Sequence, residues 1–399
     1  MMKRTLTAIT AALALALGVQ AYAAEAVAPA SSEPIQLRTM GSFAFGGTVQ
    51  TLKDGTTFHG DHGYAQYYIA ARSRHLPVVM WHGIGQSGKT YETTPDGREG
   101  FQALMPRNDW SVYIVDQPRR GRAGYTLEAK GDLIPTTASE SGVWEAFRNG
   151  PWTAGQDAKL FERSQFPLTT AAIEQFFRQQ TPDTGAEPVT AEYRHFMGQT
   201  GAALFESIGD GILVTHSNSG QYGWEIAMHS PHVKAVVAFE PGAVAFPEDA
   251  KPQDFEIAQD LVKELLAPRL VTAQHWQALT KIPILIIYGD NIETQPNKDS
   301  FNAEVWRVSY ERAKQFVELV NARGGDAKLV HLPDLKIYGN THAAFADKNN
   351  REILKIVEDF LHEKGLDGYD NPHLGPVWPE PGKVTMPLST QRASSWRDE

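Results

Sequence analysis

The sequence of 399 residues contains no cysteine. This absence excludes disulfide bonds, thiolate metal sites and a cysteine nucleophile. Internal repeats and long runs of one charge are also missing, and the formal net charge is −10 at pH 7. Since nucleic acids and anionic membranes attract basic surfaces, the acidic balance argues against either of them as a partner. We therefore expect a protein that uses neither disulfides nor thiol chemistry.

The sequence has one long apolar run, near its first residue, and no second run of membrane-spanning length. Lys3 and Arg4 precede the predominantly apolar segment 5–19, which is short for a transmembrane helix. Ala21-Tyr22-Ala23 matches an A-x-A cleavage site, which predicts a signal peptide over residues 1–23. We expect the mature protein to be periplasmic or secreted and to have no membrane span.

The stretch from Gly211 to Trp224 has the pattern of a buried strand, an abrupt turn and a helix. Ser217 lies at the apex of the turn, the position of the nucleophile elbow in an α/β-hydrolase. Thr215 and Ser219 stand where the G-x-S-x-G motif has glycines, so the match is relaxed. A serine between small residues is also typical of an ordinary helix N-cap.

A second strand leads into a glycine-rich loop. Leu76 to Trp81 is a continuous apolar run, as in buried parallel strands, and His82-Gly83-Ile84-Gly85 follows it. A strand ending in His-Gly-x-Gly supplies half of the oxyanion hole in α/β-hydrolases, because glycines let backbone N–H groups approach the developing negative charge. His82 is expected to brace this loop.

Strands alternate with helices along most of the chain. Further strand patterns cover 64–70, 111–115, 234–239, 282–288 and 327–332, and residues 42–52 have a hairpin pattern around two glycines. Such alternation predicts a mostly parallel sheet with helices on both faces, the α/β-hydrolase fold.

The organisation we predict is a flexible segment over 24–40, an α/β-hydrolase domain over 41–365 and a Pro-rich tail over 366–399. Within the domain, residues 126–205 have only helical patterns and are predicted to form a cap insertion over the pocket entrance. We expect no catalytic group in this cap. Residues 255–279 have the pattern of an amphipathic helix.

Two polar clusters have less specific patterns. Asp116 is followed by three arginines at 119, 120 and 122, which are expected to pair with carboxylates and hold their loop rather than bind an anionic substrate. The His59 to His62 segment could be half of a metal site, but a turn between strands is the simpler interpretation because no third ligand is near in sequence.

A serine nucleophile needs a base within hydrogen-bond reach and an acid that orients the base. His342 follows the last strand in a Gly-Asn-Thr loop, and the order serine, acid, histidine is that of α/β-hydrolases. His216 adjoins the serine, but adjacent side chains at a sharp turn point apart. From the residues alone the acid stays open between Asp290, after the penultimate strand, and Glu240, one strand earlier.

The chain resembles a small family of secreted bacterial α/β-hydrolase esterases with a Ser-Glu-His triad. The matching segments, between about residues 42 and 363, are His82-Gly83, Glu92-Thr93-Thr94-Pro95-Asp96-Gly97-Arg98, Asp116-Gln117, Arg120-Gly121-Arg122, Gln165-Phe166-Pro167, Ser217-Asn218-Ser219-Gly220, Glu240-Pro241-Gly242, Gly289-Asp290 and Gly339-Asn340-Thr341-His342. The resemblance implies Ser217 as the nucleophile, His342 as the base and Glu240 as the acid. It also implies an oxyanion hole from the backbone N–H groups of Ile84 and Asn218.

The resemblance further implies a carboxylic-ester hydrolase that acts on a small-molecule ester through an acyl-enzyme, without metal or organic cofactor. Two departures concern the pocket: the family has two adjacent cysteines where this chain has Ile84-Gly85, and segment 255–279 is longer than expected. The same triad could instead act on an amide, a lactone or a polymer ester. The alternative from another class is a catalytically silent binding protein with this fold. The acyl and alcohol parts of the substrate and the oligomeric state are left open.

Overall fold

The structure is a computed structural model that describes residues 33–51, 53–124, 139–153, 156–180, 184–185 and 187–377. The predicted signal peptide lies outside the described residues, as do parts of the predicted flexible segment, cap and tail. Within the described ranges, none of the helices combines the length and apolar composition that a bilayer span requires.

An eight-stranded sheet forms the centre of the fold. Its strands are β1 Leu37–Phe45, β2 Gly63–Ala70, β3 Val78–Trp81, β4 Val112–Asp116, β5 Gly211–His216, β6 Val233–Phe239, β7 Pro283–Tyr288 and β8 Asp326–His331. The order across the sheet is β1-β2-β4-β3-β5-β6-β7-β8. The β1–β2 and β2–β4 pairs are antiparallel and all other pairs in this sheet are parallel. The prediction of an α/β-hydrolase fold is confirmed.

Helices cover the sheet on both faces. They are α1 Lys89–Glu92, α2 Phe101–Arg107, α3 Glu140–Ala146, α4 Thr170–Arg178, α5 Ala191–Ile208, α6 Ser219–His229, α7 Asp260–Leu265, α8 Ala273–Trp276, α9 Phe301–Ala322 and α10 Asn350–Glu363. Side chains of α5, α6 and α9 pack in one core, and those of α2, α3 and α10 pack in the other. Alternate strand residues enter opposite cores: Val79 and Trp81 enter the first, and Val78 and Met80 the second. Coverage on both faces explains why the central strands are apolar without interruption.

The predicted N-terminal hairpin is wrong in its pairing. Strand β1 ends at Phe45 and pairs with β2, not with the segment that follows it. Gly46 and Gly47 have φ values of 62° and 89° and turn the chain into a separate hairpin, Thr48–Thr51 with Thr57–Gly60. The glycines were correctly interpreted as a turn, but their local pattern does not specify which strands pair across it.

The prediction of one amphipathic helix over 255–279 is also wrong. This segment contains the short helices α7 and α8, separated by a strand, Arg269–Val271, that pairs in parallel with Ala245–Pro247. Pro268 lies between α7 and this strand, and a proline disfavours helical backbone in the residue before it. Helix α7 therefore ends three residues before the proline.

The described part of segment 126–205 contains the helices α3, α4 and the greater part of α5. Ser139, Thr169 and Thr190 cap their first turns, each side chain accepting a hydrogen bond from a backbone N–H three residues later. Helix α5 extends to Ile208 and buries Leu204 and Phe205 in the sheet's core. The extent of the cap stays a prediction.

Candidate active site

Ser217 lies in the tight turn between β5 and α6. Its φ is 56°, in the left-handed region that residues other than glycine seldom adopt. Hydrogen bonds hold this conformation: Ser217 N donates to Phe239 O at 3.0 Å, and Ser217 O accepts from Gly220 N and Gly242 N, both at 2.9 Å. A strained backbone that is held in this way is typical of functional sites. The turn has the geometry expected of a nucleophile elbow.

The structure also explains the relaxed serine motif. The Ser219 hydroxyl lies 3.0 Å from Trp81 O and 2.9 Å from His216 O, so this residue is built into the turn. The requirement for glycine falls one residue later, because a Cβ on Gly220 would lie 2.4 Å from Pro241 Cβ. The pattern small-x-Ser-x-Ser-Gly thus makes the same sharp turn.

The two expected oxyanion donors lie in loops at the ends of neighbouring strands, β3 and β5. Among the described residues, neither Ile84 N–H nor Asn218 N–H donates a hydrogen bond to another group. The loop approaches the elbow closely: a Cβ on Gly83 would lie 3.0 Å from Ser217 Cβ. His82 braces this loop as expected, since its Nδ1–H donates to Gly83 O at 2.8 Å and its Nε2 accepts from Gln117 N at 3.2 Å.

The structure brings Glu240 and His342 together. Nδ1 of His342 lies 2.6 Å from Oε2 of Glu240, and both side chains are buried. The backbone N–H of His342 donates to Phe147 O at 2.9 Å, and the Trp306 ring lies against the imidazole at a centroid distance of 4.0 Å. The Trp306 ring thus restrains the imidazole in addition to the carboxylate, and the backbone hydrogen bond holds the loop that carries it.

A buried carboxylate holds the loop that carries His342. Asp347 accepts hydrogen bonds from Thr341 N at 2.7 Å, from Thr341 Oγ1 at 3.0 Å and from Asn340 Nδ2 at 3.0 Å. Burial raises the pKa of Asp347 to about 6, although these hydrogen bonds act in the opposite direction. Asp347 thus holds the backbone that presents the histidine.

Asp290, the alternative acid, has other partners. Its Oδ2 accepts from Gly339 N and its Oδ1 from Asn291 N, both at 2.7 Å. No hydrogen bond or ion pair joins Asp290 to His342 within the described part of the chain. Asp290 thus ties the end of β7 to the histidine loop, as expected of a residue that stabilises loops at the sheet's edge.

Arg148 is the site residue that sequence reasoning missed. Its guanidinium makes a two-pronged contact with the Glu240 carboxylate, with Nη1 at 2.6 Å from Oε2 and Nη2 hydrogen-bonded to Oε1. The side chains of both residues are at least 96% buried. Arg148 Nε also donates to Asp290 O at 3.0 Å. Arg148 belongs to segment 126–205, so this segment contributes a buried contact to the candidate site, and no local pattern distinguishes Arg148 from other basic residues.

Electrostatics favour an ionised acid and a neutral histidine. Burial by itself would raise the pKa of Glu240, but the charge of Arg148 and the hydrogen bond from His342 outweigh it and hold that pKa well below its usual range. Burial lowers the pKa of His342; Glu240 acts against this effect and Arg148 adds to it. A neutral imidazole that donates from Nδ1 has its Nε2 lone pair available to accept a proton.

His216 lies against His342 rather than far from the site. The two ring centroids are 4.3 Å apart, and Nε2–H of His216 donates to His342 O at 3.1 Å. Burial and the neighbouring His342 hold the pKa of His216 well below its usual value, so it is a neutral packing group. Within the described residues, no hydrogen bond joins Ser217 Oγ to His342.

The loop arginines pair with carboxylates, as expected. Arg122 contacts Asp116 at 2.7 Å, Arg120 contacts Glu187 at 2.9 Å, and Arg119 contacts Asp61 at 2.9 Å. The Arg119–Asp61 pair also gives the polar segment around His59 a structural role, because Asp61 of that segment bonds the arginine. These charges hold the loop after β4 against its neighbours.

Known proteins similar to this chain are hydrolases. No family model matches the sequence. A fungal protein described as the probable secreted lipase phiG, from Fungal sp. (strain ATCC 74256), is 24% identical over 331 residues, which is 75% of this chain and 86% of that protein. The atomic-resolution structure of a novel bacterial esterase superposes with a TM-score of 0.66 at 28% identity, covering 84% of this chain and 99% of the other.

Proposed function

We propose that this protein is a secreted serine hydrolase that cleaves carboxylic esters through an acyl-enzyme intermediate. Similarity to a bacterial esterase and to a probable secreted lipase supports ester hydrolysis in general terms. The observation that carries the finer proposal is the arrangement around Ser217. Ser217 has a left-handed backbone and lies close to the N–H groups of Ile84 and Asn218, which donate no hydrogen bond within the described residues. A histidine oriented by a carboxylate at 2.6 Å follows the last strand.

In the proposed reaction, Ser217 Oγ attacks the ester carbonyl carbon while His342 Nε2 takes the hydroxyl proton. The N–H groups of Ile84 and Asn218 donate to the carbonyl oxygen as it becomes negative. When the tetrahedral intermediate collapses, His342 returns the proton to the leaving alcohol and Ser217 keeps the acyl group. Water activated by His342 then releases the acid. No step requires a metal or organic cofactor.

Glu240 is proposed to fix the tautomer of His342, and Arg148 to position Glu240. A carboxylate on Nδ1 keeps the proton on that nitrogen and stabilises the imidazolium that forms during attack. The Arg148 fork, together with Gly289 N–H at 2.6 Å from Oε1, restricts the carboxylate to one orientation. Arg148 contacts neither the serine nor the imidazole in this scheme, so its role is positioning.

The test is covalent labelling with a fluorophosphonate probe, combined with turnover of p-nitrophenyl acetate. We expect the probe to label Ser217 and the Ser217→Ala variant to lose at least about 10³-fold in kcat. Ser207→Ala is a matched control, since that hydroxyl bonds only its own helix, at Ala203 O. A folded wild type that neither labels nor turns over would refute the hydrolase and support a silent binding protein. Labelling with turnover of amides or lactones but not esters would correct the bond cleaved.

We also infer that the chain is exported and loses residues 1–23. The basic start, the apolar segment and the A-x-A site support this inference. The measurement is the N-terminal sequence of the protein recovered from the medium or periplasm of an expressing cell. A mature N-terminus within one residue of position 24 is expected, whereas an unprocessed chain retained in the cell would contradict it.

A further inference from the structure

A cluster of metal-ligating side chains lies on helices α5 and α6, away from the serine. His195, Glu225 and His229 each offer a ligand atom, and these atoms lie within 4.8 Å of one another. The rings of His195 and His229 are 4.8 Å apart between centroids, and the His275 ring lies 5.7 Å from His229. Two imidazoles and a carboxylate are a ligand set that Zn²⁺ commonly adopts.

The local structure prepares these groups for a metal. His229 Nδ1 lies 2.7 Å from Glu225 O, so Nδ1 carries the proton and the lone pair is on Nε2. A backbone carbonyl on the far nitrogen is the usual second contact of a zinc-bound histidine. Glu225 and His229 are four residues apart and so share a helix face.

Close packing of the two helices brings the third ligand near. A Cβ on Gly198 would lie 2.7 Å from Glu225 Cβ, so this glycine permits the close approach of α5 to α6. His195 lies one turn before Gly198 on the same face of α5. The helices are therefore in the positions needed before any metal binds.

We propose that His195, Glu225 and His229 form a Zn²⁺ site that links α5 to α6, with His275 or water as the fourth ligand. In a tetrahedral site with bonds of about 2.0–2.1 Å, ligand atoms are about 3.3 Å apart, so atoms up to 4.8 Å apart approach by as much as about 1.5 Å on binding. The expected adjustments are rotation of the exposed His195 side chain and of the Glu225 carboxylate, whose Oε2 lies 3.8 Å from the protonated Nδ1 of His229 and must turn toward Nε2. Arg194 and Arg269 are the nearby cations that oppose binding, and the Glu225 carboxylate offsets them.

The proposed role is structural rather than catalytic. His229 ends the helix that begins at Ser219, so the cluster lies about 15 Å along α6 from the elbow. A metal here connects the end of the predicted cap to the elbow helix. We expect it to stabilise the fold and to leave ester turnover unchanged.

The experiment is calorimetric titration of ZnCl₂ into the mature, tag-free chain after treatment with EDTA and dialysis. We expect one equivalent to bind and the midpoint of thermal unfolding to rise by about 2–4 °C at a hundredfold excess over Kd. His195→Gln and Glu225→Gln should each weaken binding at least tenfold. His59→Gln is the control, because it removes an exposed histidine elsewhere. MgCl₂ should not bind, since Mg²⁺ prefers oxygen ligands.

Two results would overturn the proposal. One is the absence of saturable Zn²⁺ binding by the folded wild type. The other is binding that His195→Gln and Glu225→Gln leave unchanged. His195 is exposed, so its variant is expected to fold even if the partly buried Glu225 proves sensitive. Co²⁺ absorption bands of tetrahedral intensity, lost in His195→Gln, would support the ligand set independently.

Discussion

Replacing Arg148 with methionine tests whether the guanidinium positions the acid or only stabilises the fold. The substitution retains an unbranched apolar stem but removes the charge and the fork of the guanidinium. Glu240 would keep the contacts from His342 and Gly289 N–H and lose both contacts from the guanidinium. Breaking a buried ion pair by removing one partner costs about 3–5 kcal/mol, which for a chain of this size corresponds to a Tm lower by roughly 4–6 °C.

The effect on activity has a pH signature. The positive charge of Arg148 lowers the pKa of His342. The same charge opposes the addition of a proton to the His342–Glu240 pair, whether the histidine or the glutamate carries it. Removing the charge therefore raises the apparent pKa of the pair. Since the base must be unprotonated, the acidic limb of kcat/KM moves to higher pH in Arg148→Met. A misplaced carboxylate should also lower the plateau by about 10²-fold.

Two variants separate positioning from stability. Arg307 and Glu304 form a second buried pair, with contacts of 2.7 and 2.8 Å, and within the described residues neither side chain bonds His342 or Glu240. Arg307→Met should lower the Tm about as much as Arg148→Met does, without moving the acidic limb of the pH profile of kcat/KM. Arg148→Lys keeps the charge but cannot make the two-pronged contact, so its limb should stay close to that of the wild type while the plateau falls.

The assay is hydrolysis of p-nitrophenyl acetate as a function of pH, below the Tm of each variant. An Arg148→Met enzyme whose acidic limb coincides with that of the wild type would refute the electrostatic reasoning. A normal plateau would refute the positioning role.

Three further predictions concern the acid, the oxyanion loop and the tail. Glu240→Gln should cost several orders of magnitude in kcat by favouring the wrong imidazole tautomer, whereas Asp290→Asn should retain most activity. If an ester assay shows the large loss in Asp290→Asn and not in Glu240→Gln, Asp290 is the acid. Gly83→Ala should reduce kcat in a folded enzyme, because the added Cβ would lie 2.9–3.0 Å from atoms of the elbow; unchanged kcat would mean that the loop yields without affecting the nucleophile. Burial lowers the pKa of His373 to about 4, so the free energy of unfolding of the wild type should fall as the pH falls from about 6.5 to 4. Chemical denaturation of His373→Gln should show a smaller fall in that free energy over the same pH range. An equal fall would assign the effect to other groups.

Local sequence patterns were sufficient to locate the central strands of the sheet, but not the partner of β1, and to locate the serine turn and the histidine loop of the candidate site. Buried strands are continuous apolar runs and the elbow is a strand–turn–helix, so both are encoded by residues adjacent in the chain. The same is true of the loop after the last strand, which offered His342 as the base. The fold brings five residues together at the carboxyl ends of the strands, but their functional roles remain predictions: Ser217, Glu240, His342, Ile84 and Asn218.

The pairings between distant segments depended on the tertiary structure. Glu240 and Asp290 both follow strands, and only the packing of β6 beside β7 directs the glutamate to Nδ1 of His342 and the aspartate to the loop backbone. Arg148 and Glu240 are 92 positions apart, and nothing near Arg148 in the chain marks it as a partner. The partner of β1 and the three proposed zinc ligands on α5 and α6 likewise depend on contacts between segments that are distant in the chain. Periodicity and turn chemistry specify local conformation, whereas contacts between remote residues follow from how the helices and strands cross, which no short stretch of sequence encodes.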